Sequence, residues 1–333
     1  MKNWFARFIG KSKPQQQIRI SVQEPVAVPS LPAKKSWQPP IKIDGPYYQW
    51  LVNKEVKEKS VSLDVERKLL TALRATLESD LRENRLIPRM PIVVPQLLKC
   101  LRDANVSMSK FSDELERDPL LLGEVIRQAN NARFEGKSQI SSIEQAVILV
   151  GEDGLRQLIA TATMQPIINI QTGHYTKVAA ARIWAHAQNS AVLCRSLAGK
   201  YSIEPFEAYL AGLLHDIGLI TALRIMDKAT DGIEAPHSSG FCNAYANCAK
   251  QLSVRISELW ELPPALIQAF NEQLAGENMT RSPLGDVLFK ADQLSKARVM
   301  ANYGHVKDET DSLMRGFDQE TTMQYRQMQT HLQ

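Results

Sequence analysis

The sequence predicts an all-α fold. From residue 86 onward, apolar side chains recur at three- and four-residue spacings in segments of about 12 to 18 residues, a length typical of globular helices. Between residues 86 and 302, no alternating apolar and polar run is long enough for a half-buried strand. Serine and proline stand at the start of several of these segments, where they favour helix caps and first turns. We therefore expect helices packed around one or two hydrophobic cores.

The composition is that of a globular protein with a mixed-charge surface. The chain has 333 residues, 44% of them hydrophobic, which is enough for one large domain or two smaller ones. A net charge of +4 with 23% charged residues favours an ordinary solvated surface over a nucleic-acid partner. The four cysteines lack the CxxC spacing of zinc sites and are interpreted as reduced thiols: Cys100, Cys194, Cys242 and Cys248.

The sequence also predicts a cytoplasmic location. No stretch approaches the roughly 18 to 20 apolar residues that are needed to cross a bilayer. The apolar run near the N-terminus is interrupted by Arg7, and no small-residue cleavage site follows it, so a signal peptide is not expected.

Residues 1–13 have the pattern of a short amphipathic helix. Trp4, Phe5, Phe8 and Ile9 share one helical face, and four basic residues flank it with no acidic residue nearby. Such a helix suits an anionic membrane surface or the groove of a partner protein. In the alternative, residues 1–13 are a frayed terminus whose apolar face docks on its own domain, because so short a helix is marginal by itself. The membrane alternative makes the protein peripheral at the inner membrane.

The next two segments lead into the main domain. Residues 14–46 contain seven prolines, which exclude long helices and central strands. We interpret this segment as a linker. In residues 47–85, leucines recur at helical spacing among arginine and glutamate, so a helical lead-in is expected. The main domain is predicted over residues 86–302, and the polar tail at 303–333 is expected to be loosely ordered or terminally helical.

The sharpest chemical signal is the pair His215 and Asp216 inside the otherwise apolar segment 209–225. Burying an imidazole and a carboxylate requires either a metal ion or a hydrogen-bond network. His186 upstream and Asp292 downstream lie in helical segments, so a set of four ligands is conceivable. Imidazole nitrogen and carboxylate oxygen suit a divalent transition metal or magnesium. The alternative is a buried hydrogen-bonded network that fixes the packing of the helices.

A series of short motifs in the main domain resembles a known family. The motifs are Pro-Arg-Met-Pro at 88–91, Asp-Pro-Leu at 118–120, residues 129–134, residues 140–146 closing on Gly151, Trp-Ala-His at 184–186, residues 211–218 and Trp-Glu-Leu-Pro at 260–263. In this order they resemble the signatures of HDOD domains, which are bacterial relatives of the HD phosphohydrolases associated with signalling. The resemblance implies an N-terminal helical bundle at 86–170 and an HD-like helical subdomain at 171–302.

The resemblance also implies a ligand set for one metal ion. In the wider HD superfamily a metal is held by a His, His-Asp, Asp set, which corresponds here to His186, His215, Asp216 and Asp292. In hydrolytic members, water bound to this metal attacks a phosphate.

Three departures from the hydrolytic pattern argue against a dinuclear centre. Phosphodiesterases with two metal ions carry further histidines, and a pair of them would fall near residues 270–273, where this chain has none. Ala249 stands where a histidine is often found. Leu219 stands where hydrolytic members commonly have a basic residue that could steady a substrate phosphate. One divalent metal ion is therefore the most that we expect.

The resemblance favours a regulatory role over an enzymatic one, because HDOD relatives are generally viewed as non-enzymatic regulators. We expect a signal-transduction protein whose HDOD domain binds a signalling protein or a small ligand, with no nucleic-acid partner. The alternative is a mononuclear metal-dependent phosphohydrolase acting on a nucleotide or a phosphorylated second messenger, with His215 and Asp216 as catalytic residues.

Overall fold

The regular elements in the described part of the chain are all helical, which confirms the predicted fold class. The computed structural model describes residues 37, 39, 42–52, 63–91, 93–95, 98–99, 115, 118–131, 140–169, 171–230, 236, 238–275, 280–308 and 310–328. The predicted helix at 1–13 and most of the predicted linker lie outside these residues. Residues 36–333 form one compact unit.

The helices, in chain order, are α1 (Asp44–Val52), α2 (Leu63–Glu78), α3 (Pro119–Asn131), α4 (Ile143–Ile168), α5 (His174–Ala198), α6 (Pro205–Leu214), α7 (Ile217–Ala229), α8 (Ser239–Leu259), α9 (Pro264–Glu272), α10 (Pro283–Asn302), α11 (Thr310–Leu313) and α12 (Gln319–Gln327). A 3-10 turn at Gly199–Tyr201 follows α5. In α4, Gly151 has a φ of +74°, which places a kink where the sequence predicts a helix end.

The lead-in departs from the predicted boundaries. The linker was expected to reach residue 46, but α1 begins at Asp44, whose carboxylate lies in the first helical turn, where it is favourable. Tyr47 and Tyr48 of α1 are fully buried, so this helix is part of the core and not a tether. α2 follows and packs on α7 and α8 through Leu69 and Leu73.

The long helix α5 is the centre of the fold. It packs against α6 and α10 most extensively and also touches α1, α4, α7 and α12. Its first turn is capped by Asp227 of α7, whose carboxylate accepts hydrogen bonds from the backbone N–H of Tyr175 (2.7 Å) and from the hydroxyl of Thr176 (2.6 Å). A carboxylate at a helix N-terminus satisfies free N–H groups and the helix dipole together.

Residues 205–226 were expected to form one helix, but the chain breaks between α6 and α7 at His215 and Asp216. Two glycines flank the break because neighbouring backbones come very close. A Cβ on Gly212 would lie 2.5 Å from the carbonyl oxygen of Ser190 in α5. A Cβ on Gly218 would lie 2.2 Å from the carbonyl oxygen of Ala249 in α8. Gly212 therefore allows the backbone of α5 to come close to the break, and Gly218 does the same for the backbone of α8.

The same stretch corrects the prediction that no segment is apolar enough to cross a membrane. Pro205–Ala229 is long and apolar enough, but 94% of its most apolar window is buried inside the protein. We conclude that this stretch is apolar because it forms part of the core.

The C-terminal tail is helical where it is described. α11 and α12 lie within it, and α12 packs on α5. Tyr325 is buried, and the guanidinium carbon of the fully buried Arg298 lies 4.2 Å from the centroid of the Tyr325 ring. The tail therefore contributes to the core.

Candidate metal centre

The structure brings together the four residues that the sequence predicts as metal ligands. His186 lies in the middle of α5, His215 ends α6, Asp216 begins α7, and Asp292 lies in α10. All four are buried, and one potential ligand atom from each lies within 4.8 Å of the others. We call these residues the His-Asp cluster. The break between α6 and α7 places His215 and Asp216 side by side in this cluster.

The spacing inside the cluster fits a single small cation. His186 Nε2 lies 3.2 Å from Asp216 Oδ2 and 3.2 Å from Asp292 Oδ1. His215 Nε2 lies 3.3 Å from Asp292 Oδ1 and 3.7 Å from Asp216 Oδ2. Ligands bound at about 2.0 to 2.2 Å around one metal ion stand roughly 3 to 3.5 Å apart. The nitrogen and oxygen atoms already have about this separation.

The outer nitrogens of both imidazoles are held by hydrogen bonds. His215 Nδ1 donates to the carbonyl oxygen of Gly212 at 2.8 Å, since a carbonyl can only accept. The hydroxyl of Ser295 donates to the carbonyl oxygen of His186 at 3.0 Å, so its Oγ can accept from His186 Nδ1 at 2.8 Å. In neutral imidazoles this leaves the Nε2 lone pairs facing the cluster. Such outer partners orient histidine ligands in metal sites.

Two buried atoms at the centre of the cluster could be bound by a cation. Within the described part of the chain, His186 Nε2 and Asp216 Oδ2 make no hydrogen bond. Lone pairs of neutral imidazoles and of carboxylates repel each other unless a proton or a metal ion lies between them. The four residues therefore fit a divalent metal ion, which would be bound by imidazole nitrogen and carboxylate oxygen and would supply a Lewis-acidic centre.

A buried lysine completes the charge pattern. Lys296, which is 0% exposed, lies one turn after Asp292 in α10 and donates to Asp292 Oδ2 at 2.8 Å. It also donates to Asp44 Oδ1 of α1 at 2.7 Å, and Lys250 Nζ lies 3.6 Å from the other oxygen of Asp44. With neutral histidines, three carboxylates (Asp44, Asp216, Asp292) outnumber the two ammonium groups by one. A cation in the cluster or a proton on a histidine would balance this charge.

The ionisation of these groups follows from their neighbours. Burial alone raises the pKa of Asp216, but its interactions with His215, His186 and Lys296 lower that pKa to about 2. For Asp292, burial opposes and Lys296 favours the charged form, and the net pKa lies well below its ordinary value. Burial lowers the pKa of His186, while Asp216 and Asp292 raise it by more, so the net shift is upward. Both carboxylates are therefore ionised at neutral pH.

Helix α1 covers one side of the cluster. The ring of Tyr47 packs on His186 with centroids 5.2 Å apart. Lys296 Nζ lies 5.4 Å from the ring centroid of Tyr47 and 5.1 Å from that of Tyr48. These aromatic faces stabilise the buried ammonium group alongside its two carboxylate partners.

The opening at the cluster is small. Its walls are His215, Asp216, Lys250, Ser253, Phe270, Gln273 and Asp292. Its volume is about 10 Å³, measured as the space open to the centre of a water molecule. This is room for about one water or one ion. A nucleotide does not fit beside the cluster in this conformation.

The three departures seen in the sequence have structural counterparts. Leu219 is fully buried, so this position faces the core and not a substrate. Ala249 is buried against Gly218. Phe270 presents an apolar ring to the small opening. Among the described residues near the cluster, none supplies the further histidines of a dinuclear site.

Sequence reasoning missed Asp44, Lys250, Ser295 and Lys296. The i,i+4 spacing of Asp292 and Lys296 on one helix face was a readable signal for their pairing. No local pattern links Asp44 to Lys296, because 251 residues separate them and only the packing of α1 brings them together.

Removing the buried lysine tests how strongly the cluster depends on its charge. Lys296→Met leaves Asp292 buried without its cation, so the free energy of unfolding in urea should fall by about 3 to 5 kcal/mol. The matched control is Arg67→Met, which removes an exposed partner of Asp64 at 2.9 Å and should cost less than about 1 kcal/mol. Equal losses in the two variants would contradict the described role of Lys296.

Comparison with known proteins agrees with this architecture. The family model described as HDOD domain matches residues 87–275. No curated protein matches the chain. Asp44, Asp292 and Lys296 lie outside the matched residues, so the contacts of Asp292 with His186 and His215 connect the family domain to a helix that flanks it.

Several solved structures share the fold. An HDOD domain protein of unknown function from Geobacter sulfurreducens has 20% identity and a TM-score of 0.56, with 78% of this chain and 89% of that chain covered. A protein from Shewanella amazonensis SB2B, provisionally described as a metal-dependent phosphohydrolase, has 14% identity and a TM-score of 0.54, with 81% and 100% covered. A protein from Marinobacter aquaeolei VT8, provisionally described as a signal transduction protein, has 18% identity and a TM-score of 0.52, with 81% and 64% covered.

At these identities the solved structures establish the fold alone. The family match is more specific, because residues 87–275 make up more than half of the 333 residues. This chain therefore belongs to the HDOD domain family.

Proposed function

We propose that the chain is a non-enzymatic regulatory protein whose HDOD domain binds a signalling protein or a small ligand. In this proposal the His-Asp cluster holds one divalent metal ion as a structural centre. The observation that carries the proposal is the closure of the cluster, which has room for about one water or ion. A phosphohydrolase must admit its substrate phosphate to the metal-bound water.

The covering helix supports the same conclusion. Asp44 of α1 pairs with Lys296, and Tyr47 packs on His186. To expose the cluster on this side, α1 would have to separate the partly exposed Asp44 from the fully buried Lys296 and uncover two tyrosines. Such a step is costly, because the buried ammonium loses one of its two carboxylate partners and two aromatic rings leave the core. A permanently covered metal ion suits a structural role.

The alternative function is a mononuclear metal-dependent phosphohydrolase acting on a nucleotide or a phosphorylated second messenger. One observation favours it: Lys250 lines the opening beside His215 and Asp216, where an ammonium group could hold a phosphate. The structural relative from Shewanella amazonensis SB2B carries a matching provisional description. In this alternative His215 and Asp216 are the catalytic residues, and the opening must widen for substrate.

Metal content and turnover separate the two functions. We expect purified chain that has been loaded with Mn²⁺ or Zn²⁺ and desalted to keep about one equivalent of metal. We expect it to show no metal-dependent hydrolysis of nucleoside di- and triphosphates, cyclic dinucleotides or bis(p-nitrophenyl) phosphate. His215→Ala and Asp216→Asn should lose the metal, because each removes a ligand atom from a set of four.

The control variant is His174→Ala, which removes an exposed imidazole at the start of α5 and should keep its metal. Circular dichroism of each variant checks that it remains folded. Metal-dependent turnover that disappears in both cluster variants would overturn the regulatory proposal in favour of the hydrolase. If the His174→Ala variant also lost its metal, the loss from the other variants would not show that the metal is bound in the cluster.

We further propose that residues 1–13 place the protein at the inner membrane as a peripheral protein. Support comes from the sequence, in which an apolar face of Trp4, Phe5, Phe8 and Ile9 is flanked by basic residues. A protein partner at the membrane is then the expected target of the regulatory domain. These thirteen residues lie outside the described part of the chain.

Liposome sedimentation tests the membrane proposal on the full chain. Vesicles containing phosphatidylglycerol should pull down the chain, and removal of residues 1–13 or Trp4→Ala with Phe8→Ala should leave most of it in the supernatant. Neutral vesicles and about 0.5 M salt should weaken binding, because screening reduces the attraction of lysine and arginine to anionic lipid. A full chain that stays in the supernatant with anionic vesicles would refute the proposal.

A further inference from the structure

A second cavity lies away from the His-Asp cluster, between the turns that follow α2 and the ends of several helices. Its volume is about 830 Å³, within the usual range of small-molecule sites. The walls come from residues 81–90, from Ile167 at the end of α4, from Arg224 of α7, and from Leu259 and Trp260 at the end of α8. It shares no wall residue with the opening at the cluster.

The cavity is strongly basic. Arg82, Arg85, Arg89 and Arg224 line it, and Glu83 is the acidic residue among its walls. The ion pairs that the described residues form include none of these four guanidinium groups. Elsewhere in the described chain, arginines such as Arg127 and Arg298 do pair with carboxylates. Four arginines and one glutamate around one cavity create a local excess of positive charge.

The walls are fixed by hydrogen bonds from two side chains. Arg224 Nη1 donates to the carbonyl oxygen of Leu86 at 2.9 Å, and Trp260 Nε1 donates to the carbonyl oxygen of Pro88 at 3.2 Å. Within the turns, the backbone N–H of Leu86 donates to Asn84 Oδ1 at 3.0 Å. The segment that carries Arg85 and Arg89 is therefore anchored to α7 and α8. A site whose supporting contacts are already made binds without a large ordering cost.

Arg224 has an unsatisfied donor. Its Nε–H is buried and has no hydrogen-bond partner within the described part of the chain. Burial also lowers the pKa of Arg224, which means that its charged form is poorly compensated in this environment. A buried donor without a partner costs about 1 to 3 kcal/mol. An anion in the cavity would compensate the charge of this guanidinium group.

We propose that this arginine cavity binds a small phosphorylated ligand, a nucleotide with two or more phosphates. The guanidinium fork matches phosphate oxygens in a bidentate arrangement. The volume exceeds what an inorganic phosphate needs and accommodates a nucleotide. This inference rests on the proposed function, since it names the ligand class of the regulatory domain and places that ligand outside the His-Asp cluster.

Calorimetric titration of the full chain tests the inference, with ATP, GTP and inorganic pyrophosphate as probes at low and physiological salt. We expect at least one nucleotide to bind with a stoichiometry of one, more tightly than pyrophosphate. The double variant Arg85→Gln with Arg89→Gln should lose affinity by about tenfold or more, because both side chains are exposed at the cavity and their removal leaves the core intact. The matched charge control is Arg67→Gln on α2, which should bind as the unmodified chain does.

The inference would be overturned if no probe bound the folded chain, or if the double variant bound the nucleotide with the same affinity as the unmodified chain. It would also be overturned if a poly-glutamate peptide competed as well as the nucleotide does, because the ligand would then be an acidic protein segment. Failure of the proposed function is seen separately. A nucleotide that binds in the arginine cavity and is also hydrolysed with metal would refute the regulatory proposal while leaving the cavity assignment intact.

Discussion

The buried charges around Asp292 impose the constraint on which the rest of this structure depends. Asp292 meets His186, His215 and Lys296, and Lys296 in turn meets Asp44. Ionised groups this deep are tolerated only when each has a compensating partner, because desolvation costs several kcal/mol per ion. The partners come from α1, α5, the α6–α7 break and α10, so these elements must all be in place together. The glycines on either side of the break follow from the same requirement, since they let the backbones approach closely enough to complete the cluster.

This constraint also shapes the function. A cluster closed by α1 and by the ring of Phe270 has room for an ion and not for a nucleotide. In the function that we propose, larger molecules are therefore recognised on other surfaces. The arginine cavity lies at one such surface, and Arg224 stands on the helix that begins at the cluster. In that proposal one site holds charge inside the core, and the other presents charge to a ligand.

Much of the architecture could be predicted from the sequence. Helical periodicity predicts the fold class, and the order of the motifs identifies the family. The four cluster residues were found because an imidazole and a carboxylate in an apolar segment are conspicuous. The break at His215 and Asp216 was missed, since the apolar helical pattern continues on both sides of the pair and no proline marks the break. The role of α1 was missed for a different reason: a proline-rich stretch precedes it, and its pairing with Lys296 spans most of the chain and leaves no local pattern. The arginine cavity was missed because Arg82, Arg85 and Arg89, which are close in sequence, are brought beside Arg224 only by the packing of the chain.

Thermal unfolding of the full chain, measured before chelation, after exhaustive chelation and after restoring Mn²⁺, tests the central claim most directly. If the His-Asp cluster is a structural metal centre, the chelated chain should unfold roughly 5 °C lower, because a ligand that binds only the folded state stabilises it by mass action. Restored Mn²⁺ should recover the loss in the unmodified chain and not in His215→Ala. An unfolding temperature that is the same in all three states of the unmodified chain would contradict the account.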